Sequence, residues 1–212
     1  SLGKIISGNA KEKDDASWTT PAILKQEGWR NYILLENQGY TGKGPSYERA
    51  DVPDDGYIDG KLADLALQTL ENLSRADAPF FLAVGFFKPH LPFNAPKAYW
   101  DLYDPATFAL EDEPKRVLGA PEAAYHAHRE LGGYVDMPKD EQLSAEQTRE
   151  LRHGYYACVS YVDAQVGKLL DQLEALGEAD NTIVVLWGDH GFALGETHRW
   201  CKGTNFELDT HV

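Results

Sequence analysis

An apolar run that ends at a charged pair constrains this chain more than any other feature. Residues Thr182–Trp187 read Thr-Ile-Val-Val-Leu-Trp, and Gly-Asp-His-Gly follows at 188–191. Apolar and β-branched residues in such a run predict a strand that is buried on both faces, and the glycines allow a sharp turn where it ends. We therefore expect Asp189 and His190 at the carboxyl end of a core strand, where open α/β sheets bind ligands. The alternative is an aspartate that only caps the following turn.

A second apolar run ends in the same way. Residues Phe80–Phe87 also predict a buried strand, and they lead directly into Lys88-Pro89-His90. Pro89 and Pro92 restrict the backbone at this exit. Because a lysine and a histidine follow one strand while an aspartate and a histidine follow the other, we predict one site assembled from both strand ends. An aspartate beside a histidine is also a plausible pair of metal ligands.

Composition excludes several classes of protein. The 212 residues suffice for one domain or for part of a larger one, and 42% hydrophobic residues are enough for a packed core. A net charge of −14 argues against nucleic acid as a partner. No apolar run approaches the roughly 20 residues that span a bilayer, so no transmembrane segment is predicted. Of the two cysteines, Cys158 is predicted to be a small buried hydrophobic residue, and no nucleophilic role is predicted for Cys201.

Two helices are predicted around these strands. Asp59 is a candidate N-cap for a helix from Gly60 to about Ser74, whose apolar residues fall on one face. Ser144 and Gln147 form a capping-box pattern that begins a second helix, and Gly177 is the predicted stop.

The stretch Asp101–Glu141 lacks periodicity and contains four prolines with scattered charges. It predicts a long loop or insertion around residues 101–143, and long ordered loops in α/β enzymes often cover substrates. His126 and His128 lie within it and are predicted to be solvated rather than ligands. The order helix, strand, insertion, helix, strand favours an α/β sheet covered by helices over a bundle or a β-sandwich.

Three motifs occur together in this chain. They are Lys88-Pro-His-Leu-Pro-Phe, Tyr161-Val-Asp-Ala-Gln-Val-Gly and Gly188-Asp-His-Gly-Phe-Ala-Leu-Gly-Glu. Taken together they resemble the type I sulfatases, in particular the iduronate-2-sulfatase-like and choline-sulfatase-like branches, with a poor match over 101–141. The resemblance implies an alkaline-phosphatase-like α/β fold, of which residues 1–212 form part of the N-terminal catalytic domain.

The resemblance also implies a metal and a modified nucleophile. Asp189 and His190 match two ligands of a single calcium ion. The family nucleophile is a hydrated formylglycine, which we expect upstream of residue 1 and which requires a formylglycine-generating enzyme as a partner of the full-length protein. The chain alone is therefore expected to bind calcium weakly and not to hydrolyse a sulfate ester.

Four further residues match the catalytic machinery of the family. His90 matches the histidine that protonates the leaving group, and Lys88 is the lysine of the same Lys-x-His pattern. Lys202 and Lys4 match lysines that bind the sulfate oxygens. The substrate implied is a sulfated small molecule or glycan.

The chain departs from the family pattern at two places. Ser7 replaces a histidine three residues after Lys4, and Gly195-Glu196-Thr197-His198 shifts another histidine by one position. Ser7 supports the alternative of a catalytically silent protein that binds sulfated glycans. A phosphomonoester or phosphonate hydrolase of the same superfamily is a second alternative, which a threonine or serine nucleophile upstream would favour. A periplasmic or a secreted, lysosomal-type compartment is expected from the resemblance alone.

Overall fold

The computed structural model describes residues 1–5, 15–23, 30–76, 78–110, 116–125, 130–139 and 142–212. Within these residues the α-helices are α1 (Ile58–Ser74), α2 (Lys97–Trp100), α3 (Ala145–Ala175) and α4 (Glu207–Thr210), and eight short 3-10 helices lie in the connecting segments. The strands are β1 (Leu2–Gly3), β2 (Tyr47–Glu48), β3 (Val84–Gly85), β4 (Phe93–Asn94), β5 (Ala193–Leu194) and β6 (Trp200–Cys201). Ser7, His126 and His128 lie outside the described residues, so their predicted roles stay predictions.

Helix α3 begins and ends where the sequence predicts. The Ser144 hydroxyl accepts a hydrogen bond from the Gln147 backbone N–H at 3.1 Å, and the Gln147 side chain accepts one from the Ser144 N–H at 2.9 Å. Gly177, just beyond the last turn, has a φ of +73°, which glycine adopts without the steric penalty of a Cβ. The capping box and the glycine stop are both confirmed.

Helix α1 contradicts the predicted cap. The helix begins at Ile58 with Tyr57 as its N-cap, and Asp59 lies inside the first turn. The Asp59 side chain is fully buried, and its two oxygens accept hydrogen bonds from the backbone N–H groups of Phe87 at 2.9 Å and Lys88 at 2.8 Å. Asp59 therefore binds the backbone of the residues that follow β3 and does not cap its own helix.

Two parallel strand pairs and one antiparallel pair form the sheet structure of the described residues. In the parallel pairs, β1 lies beside β3 and β2 lies beside β4. The antiparallel pair joins β5 to β6 and sets Ala193 opposite Cys201. The run Phe80–Phe87 is thus a strand only at Val84–Gly85, and it is half-buried rather than covered on both faces.

The prediction of a buried strand at Thr182–Trp187 is wrong for this chain. No described residue pairs with this run, and the side chains of Ile183 and Trp187 are 92% and 73% exposed. The pattern favours burial, but burial requires neighbouring strands and helices on both sides, and the described residues do not supply them.

The main hydrophobic core lies between α3 and the segments around β4 and α2. Phe93, Trp100, Leu151 and Tyr161 are buried almost completely and belong to one cluster. A large side chain contributes about 1.5–3 kcal/mol when it is fully buried. Cys158 lies in the same cluster as a free thiol, which confirms its predicted burial.

A smaller apolar cluster supports the parallel pair β1/β3. It consists of Leu2, Leu62 and Ala66, with Val84 packed against it. This cluster fixes the two strands on α1, and both strands deliver site residues. No helix within the described residues is long and apolar enough to cross a lipid bilayer.

Candidate active site

Two glycines bring β1 and β3 unusually close where both strands end. Gly3 has a φ of +73°, and a Cβ at this position would lie 2.3 Å from the carbonyl oxygen of Gly85. A Cβ at Gly85 would lie 2.0 Å from the carbonyl oxygen of Lys4. Both distances are far below contact, so backbone packing requires glycine at positions 3 and 85. The Lys4 N–H donates to the Gly85 carbonyl at 2.8 Å and fixes the strand end.

Lys4, Asp189 and His190 form the first group of the site. The Lys4 Nζ donates to Asp189 Oδ2 at 2.7 Å, and His190 Nε2 lies 3.7 Å from Asp189 Oδ1. Partial burial raises the pKa of Asp189, but the hydrogen bond and charge of Lys4 outweigh it, so the pKa lies below its usual value. The Asp189 carboxylate is therefore ionised at neutral pH.

The backbone around Gly191 orients this first group. His190 Nδ1 lies 2.8 Å from the Gly191 carbonyl oxygen; because a carbonyl only accepts, we assign the proton to Nδ1 and a lone pair to Nε2. The Gly191 N–H donates to the Asp209 carbonyl at 2.9 Å. A Cβ at Gly191 would lie 1.9 Å from the Leu208 carbonyl oxygen. Close backbone approach by α4, and not a positive φ, is thus the reason for this glycine.

Lys88 is buried beneath the loop that carries His90. Its side chain donates to the backbone carbonyl of His90 at 3.0 Å and to that of Pro92, and the residue is only 6% exposed. Burial lowers the pKa of its amine, and Asp59 opposes that shift. In this geometry Lys88 holds the exit of β3, and its membership of the catalytic machinery stays a prediction.

His90, Lys202 and Glu130 form the second group of the site. The Lys202 Nζ donates to Glu130 Oε2 at 2.6 Å and lies 3.2 Å from His90 Nε2. Glu130 Oε1 lies 3.3 Å from the same imidazole nitrogen. His90 Nδ1 contacts the Leu91 carbonyl oxygen, so Nδ1 carries the proton and Nε2 accepts from Lys202.

The charges of Lys202 and Glu130 shift the pKa of His90 in opposite directions. Burial, followed by the Lys202 ammonium, lowers the pKa of His90 to about 4, although Glu130 opposes this. Partial burial raises the pKa of Glu130, but its hydrogen bond to Lys202 and the charge of Lys202 bring it below the usual value. At neutral pH the group therefore contains a carboxylate, an ammonium and a neutral imidazole.

Lys202 projects from a strained hairpin. Thr197, His198 and Cys201 all have positive φ, at 52°, 60° and 68°. Non-glycine residues in this region typically cost about 1–3 kcal/mol each and cluster at functional sites. Cys201 is buried, and burial raises the pKa of its thiol to about 12. The Cys201 thiol is therefore protonated at neutral pH, and a protonated thiol is a poor nucleophile.

The predicted site residues are thus brought together in two groups. Lys4 of the first group follows β1, and Lys88, which holds the loop that carries His90 of the second group, follows β3. Both groups therefore lie near the carboxyl ends of one parallel pair. The convergence of Asp189 and His90 on a common ligand stays a prediction. Among the described residues there is no group of three or more histidine, cysteine, aspartate or glutamate side chains placed to hold a metal ion.

Sequence reasoning missed Glu130, which lies in a segment without periodicity and without a motif. A carboxylate in a long loop carries no local signal, because its partners Lys202 and His90 are 72 and 40 positions away in the chain. The role of Asp59 was missed for the opposite reason, since an aspartate before an apolar helical run is also typical of an N-cap.

Comparison with known proteins identifies the family. Residues 7–212 match the family model of the sulfatases. The chain belongs to the sulfatase family. It is 34% identical to iduronate 2-sulfatase of Homo sapiens, and the alignment covers 100% of this chain and 41% of that protein. It is 31% identical to choline-sulfatase of Rhizobium meliloti, over 93% of this chain and 38% of that protein.

Solved structures confirm the predicted fold class of this sulfatase chain. A phosphonate monoester hydrolase from Silicibacter pomeroyi matches with a TM-score of 0.61 and 28% identity, over 74% of this chain and 32% of that one. The fold is alkaline-phosphatase-like and incomplete within this chain. The chain spans about two fifths of the length of the curated relatives described above.

Proposed function

We propose that the full-length protein carrying this chain hydrolyses the sulfate ester of a sugar or glycan. The observation that carries the proposal is the contact between Lys202 and His90, which sets a cation beside an imidazole. Hydrolysis of a sulfate ester requires positive charge around the sulfate oxygens and a proton for the departing alkoxide. These two side chains supply both, and membership of the sulfatase family supports the assignment.

The protonation of His90 responds to substrate in this proposal. The imidazole is neutral at rest, because burial and the neighbouring Lys202 lower its pKa to about 4. A sulfate ester that lies directly against the imidazole places negative charge beside Nε2, which favours the protonated form and raises the pKa of His90. The imidazole is then able to hold a proton at Nε2 and to pass it to the leaving oxygen. Lys4 and Lys202 bind the sulfate oxygens.

Asp189 and His190 fit part of a calcium site. The Asp189 carboxylate is ionised, and the Nε2 lone pair of His190 lies 3.7 Å from it. Calcium takes about six to eight oxygen ligands, so these two side chains form a minority of the shell, and we expect the others from the segment upstream of residue 1. When bound, the ion supplies positive charge beside the sulfate group. The same upstream segment is expected to carry the formylglycine nucleophile, installed by a formylglycine-generating enzyme.

The names of two relatives support an alcohol as the leaving group. They are an iduronate 2-sulfatase and a choline-sulfatase, and sugar sulfates, glycosaminoglycans and choline sulfate all fit this description. We also expect a periplasmic or a secreted, lysosomal-type compartment, as the family resemblance implies.

A second candidate is hydrolysis of a phosphonate or phosphate monoester. It is supported by the structural match to a phosphonate monoester hydrolase, because both substrates present tetrahedral anionic groups to the same lysines. Hydrolysis of a sulfate ester is preferred over this second candidate, because the family model and the relatives of higher identity are sulfatases.

The test is turnover by the full-length protein produced together with a formylglycine-generating enzyme. An aryl sulfate should be hydrolysed, and His90→Ala and Lys202→Ala should each reduce turnover by about 10²–10⁴-fold. Matched controls are His211→Ala and Lys97→Ala, whose side chains are exposed. Cleavage of aryl phosphate or phosphonate without sulfate cleavage would favour the second candidate, and unchanged turnover in His90→Ala would refute the proton donor.

A further inference from the structure

Glu130 approaches the sulfate-binding lysine from a segment in which no site residue is predicted. Its two oxygens contact Lys202 Nζ at 2.6 Å and His90 Nε2 at 3.3 Å. The side chain is only 26% exposed, so solvent screens this carboxylate less than a surface ion pair.

The backbone around Glu130 is fixed by several contacts. The neighbouring Leu131 and Tyr134 are buried in the main core. The Lys43 Nζ donates to the Glu130 backbone carbonyl at 2.5 Å, and the Asp136 carboxylate accepts from the Ser46 N–H at 2.8 Å. The burial of these neighbours and the two hydrogen bonds therefore hold Glu130 at the site.

The positive charge of Lys202 can pair closely with only one anion at a time. The groups that face Glu130 are Lys202, His90 and, through its amine, Lys43. Within about 4 Å, two like charges repel strongly in a partly desolvated site. A sulfate group that binds the Lys202 ammonium must therefore compete with the carboxylate already bound there.

We infer that Glu130 is an internal counter-ion that occupies the anion position on Lys202 in the resting protein and is displaced by the oxyanion of the substrate. The inference rests on the proposed function, in which Lys202 binds the sulfate oxygens. Return of the carboxylate to Lys202 after hydrolysis then expels the inorganic sulfate product. Glu130 acts through Lys202 and His90 and is a positioning residue, not a proton donor.

The experiment measures binding of inorganic sulfate to the full-length protein by calorimetry. Glu130→Gln keeps the shape of the side chain but removes its charge, so sulfate should bind about tenfold more tightly. Glu122→Gln is the matched control, because Glu122 is an exposed glutamate paired with Arg116, and it should bind sulfate like the unaltered protein. In a Lys202→Ala background the effect of Glu130→Gln should disappear.

A second variant keeps the inference testable if Glu130→Gln does not fold. Glu130→Asp retains the charge on a shorter side chain that reaches Lys202 less well, and it should bind sulfate with intermediate affinity. Sulfate binding that is unchanged or weaker in both variants would overturn the inference, since Glu130 would then be neutral to anion binding or would assist it. Sulfate binding needs no turnover, so a protein that binds sulfate as expected but hydrolyses no sulfate ester would refute the proposed function alone.

Discussion

Removal of the Asp59 carboxylate should loosen the exit of β3, because this side chain holds two consecutive backbone N–H groups in a site closed to water. Both hydrogen bonds, to Phe87 and Lys88, are made by a fully buried carboxylate. Asp59→Ala leaves the two donors without a partner, which costs about 1–3 kcal/mol for each. Burial raises the pKa of Asp59 against these two hydrogen bonds and Lys88, so removal also relieves a desolvation penalty. The expected net loss of unfolding free energy is about 2–4 kcal/mol.

Asp59→Asn separates charge from geometry at the same position. One amide oxygen still accepts a hydrogen bond, but the amide NH₂ opposes the second N–H, so we expect a loss of about 1–3 kcal/mol. Asp64→Ala is the matched control, because Asp64 is an exposed aspartate on the same helix α1. A surface change of this kind usually stays within about 0.5 kcal/mol.

Two measurements on the full-length protein check this reasoning. Urea denaturation gives the change in unfolding free energy, and amide hydrogen exchange reports the two donors directly. Exchange at Phe87 and Lys88 should accelerate in Asp59→Ala, whereas exchange in the middle of α3 should change only as far as global stability does. If exchange at these two amides is unchanged and the stability loss equals that of Asp64→Ala, the assigned role of Asp59 is refuted.

Two further perturbations test the core and the titration of the site. Tyr161→Phe removes a hydroxyl that donates to the Asp54 carbonyl at 2.8 Å and accepts from the Gly60 N–H at 2.6 Å; denaturation should show a loss of about 1–3 kcal/mol, and a loss no larger than that of the exposed control Tyr40→Phe would contradict this. The pKa of His90 is lowered from 6.5 to about 4 in the folded protein, so between these values the unfolded state binds more protons and stability falls as the pH falls, by at most about 3 kcal/mol. His90→Gln should flatten this dependence in thermal melts at pH 4–6.5, and an unaltered slope would refute the assignment.

The elements that follow from the sequence are those whose signals are local. The capping box at Ser144 and Gln147 closes within four residues, and the glycine at 177 ends the helix by its own backbone preference. Neither feature needs the rest of the chain, so both could be predicted. The burial of Thr182–Trp187 depends on neighbours elsewhere in a larger fold, and here the local pattern is not sufficient.

The candidate site divides in the same way. Residues carried by sequence motifs, such as Asp189 and His90, could be named from the family resemblance, and their catalytic roles stay predictions. The carboxylates of Asp59 and Glu130 could not, because each is defined by partners distant in sequence. Their positions result from packing, which no short pattern records.

The contact between Lys4 and Asp189 joins residues 185 positions apart, and this separation bears on the order in which the chain is organised. Closing a loop becomes about 0.6 kcal/mol more difficult with each doubling of its length, so this closure is about 2.5 kcal/mol less favourable than that of a ten-residue loop. A partly exposed ion pair contributes only about 0–1 kcal/mol and cannot drive such a closure. It forms after packing on α1 and α3 has already brought the two ends of the chain together. The Lys4–Asp189 ion pair is therefore a sensitive indicator of whether this packing is intact. A small local opening near Lys4 or near Asp189 separates the two side chains while α3 is still folded.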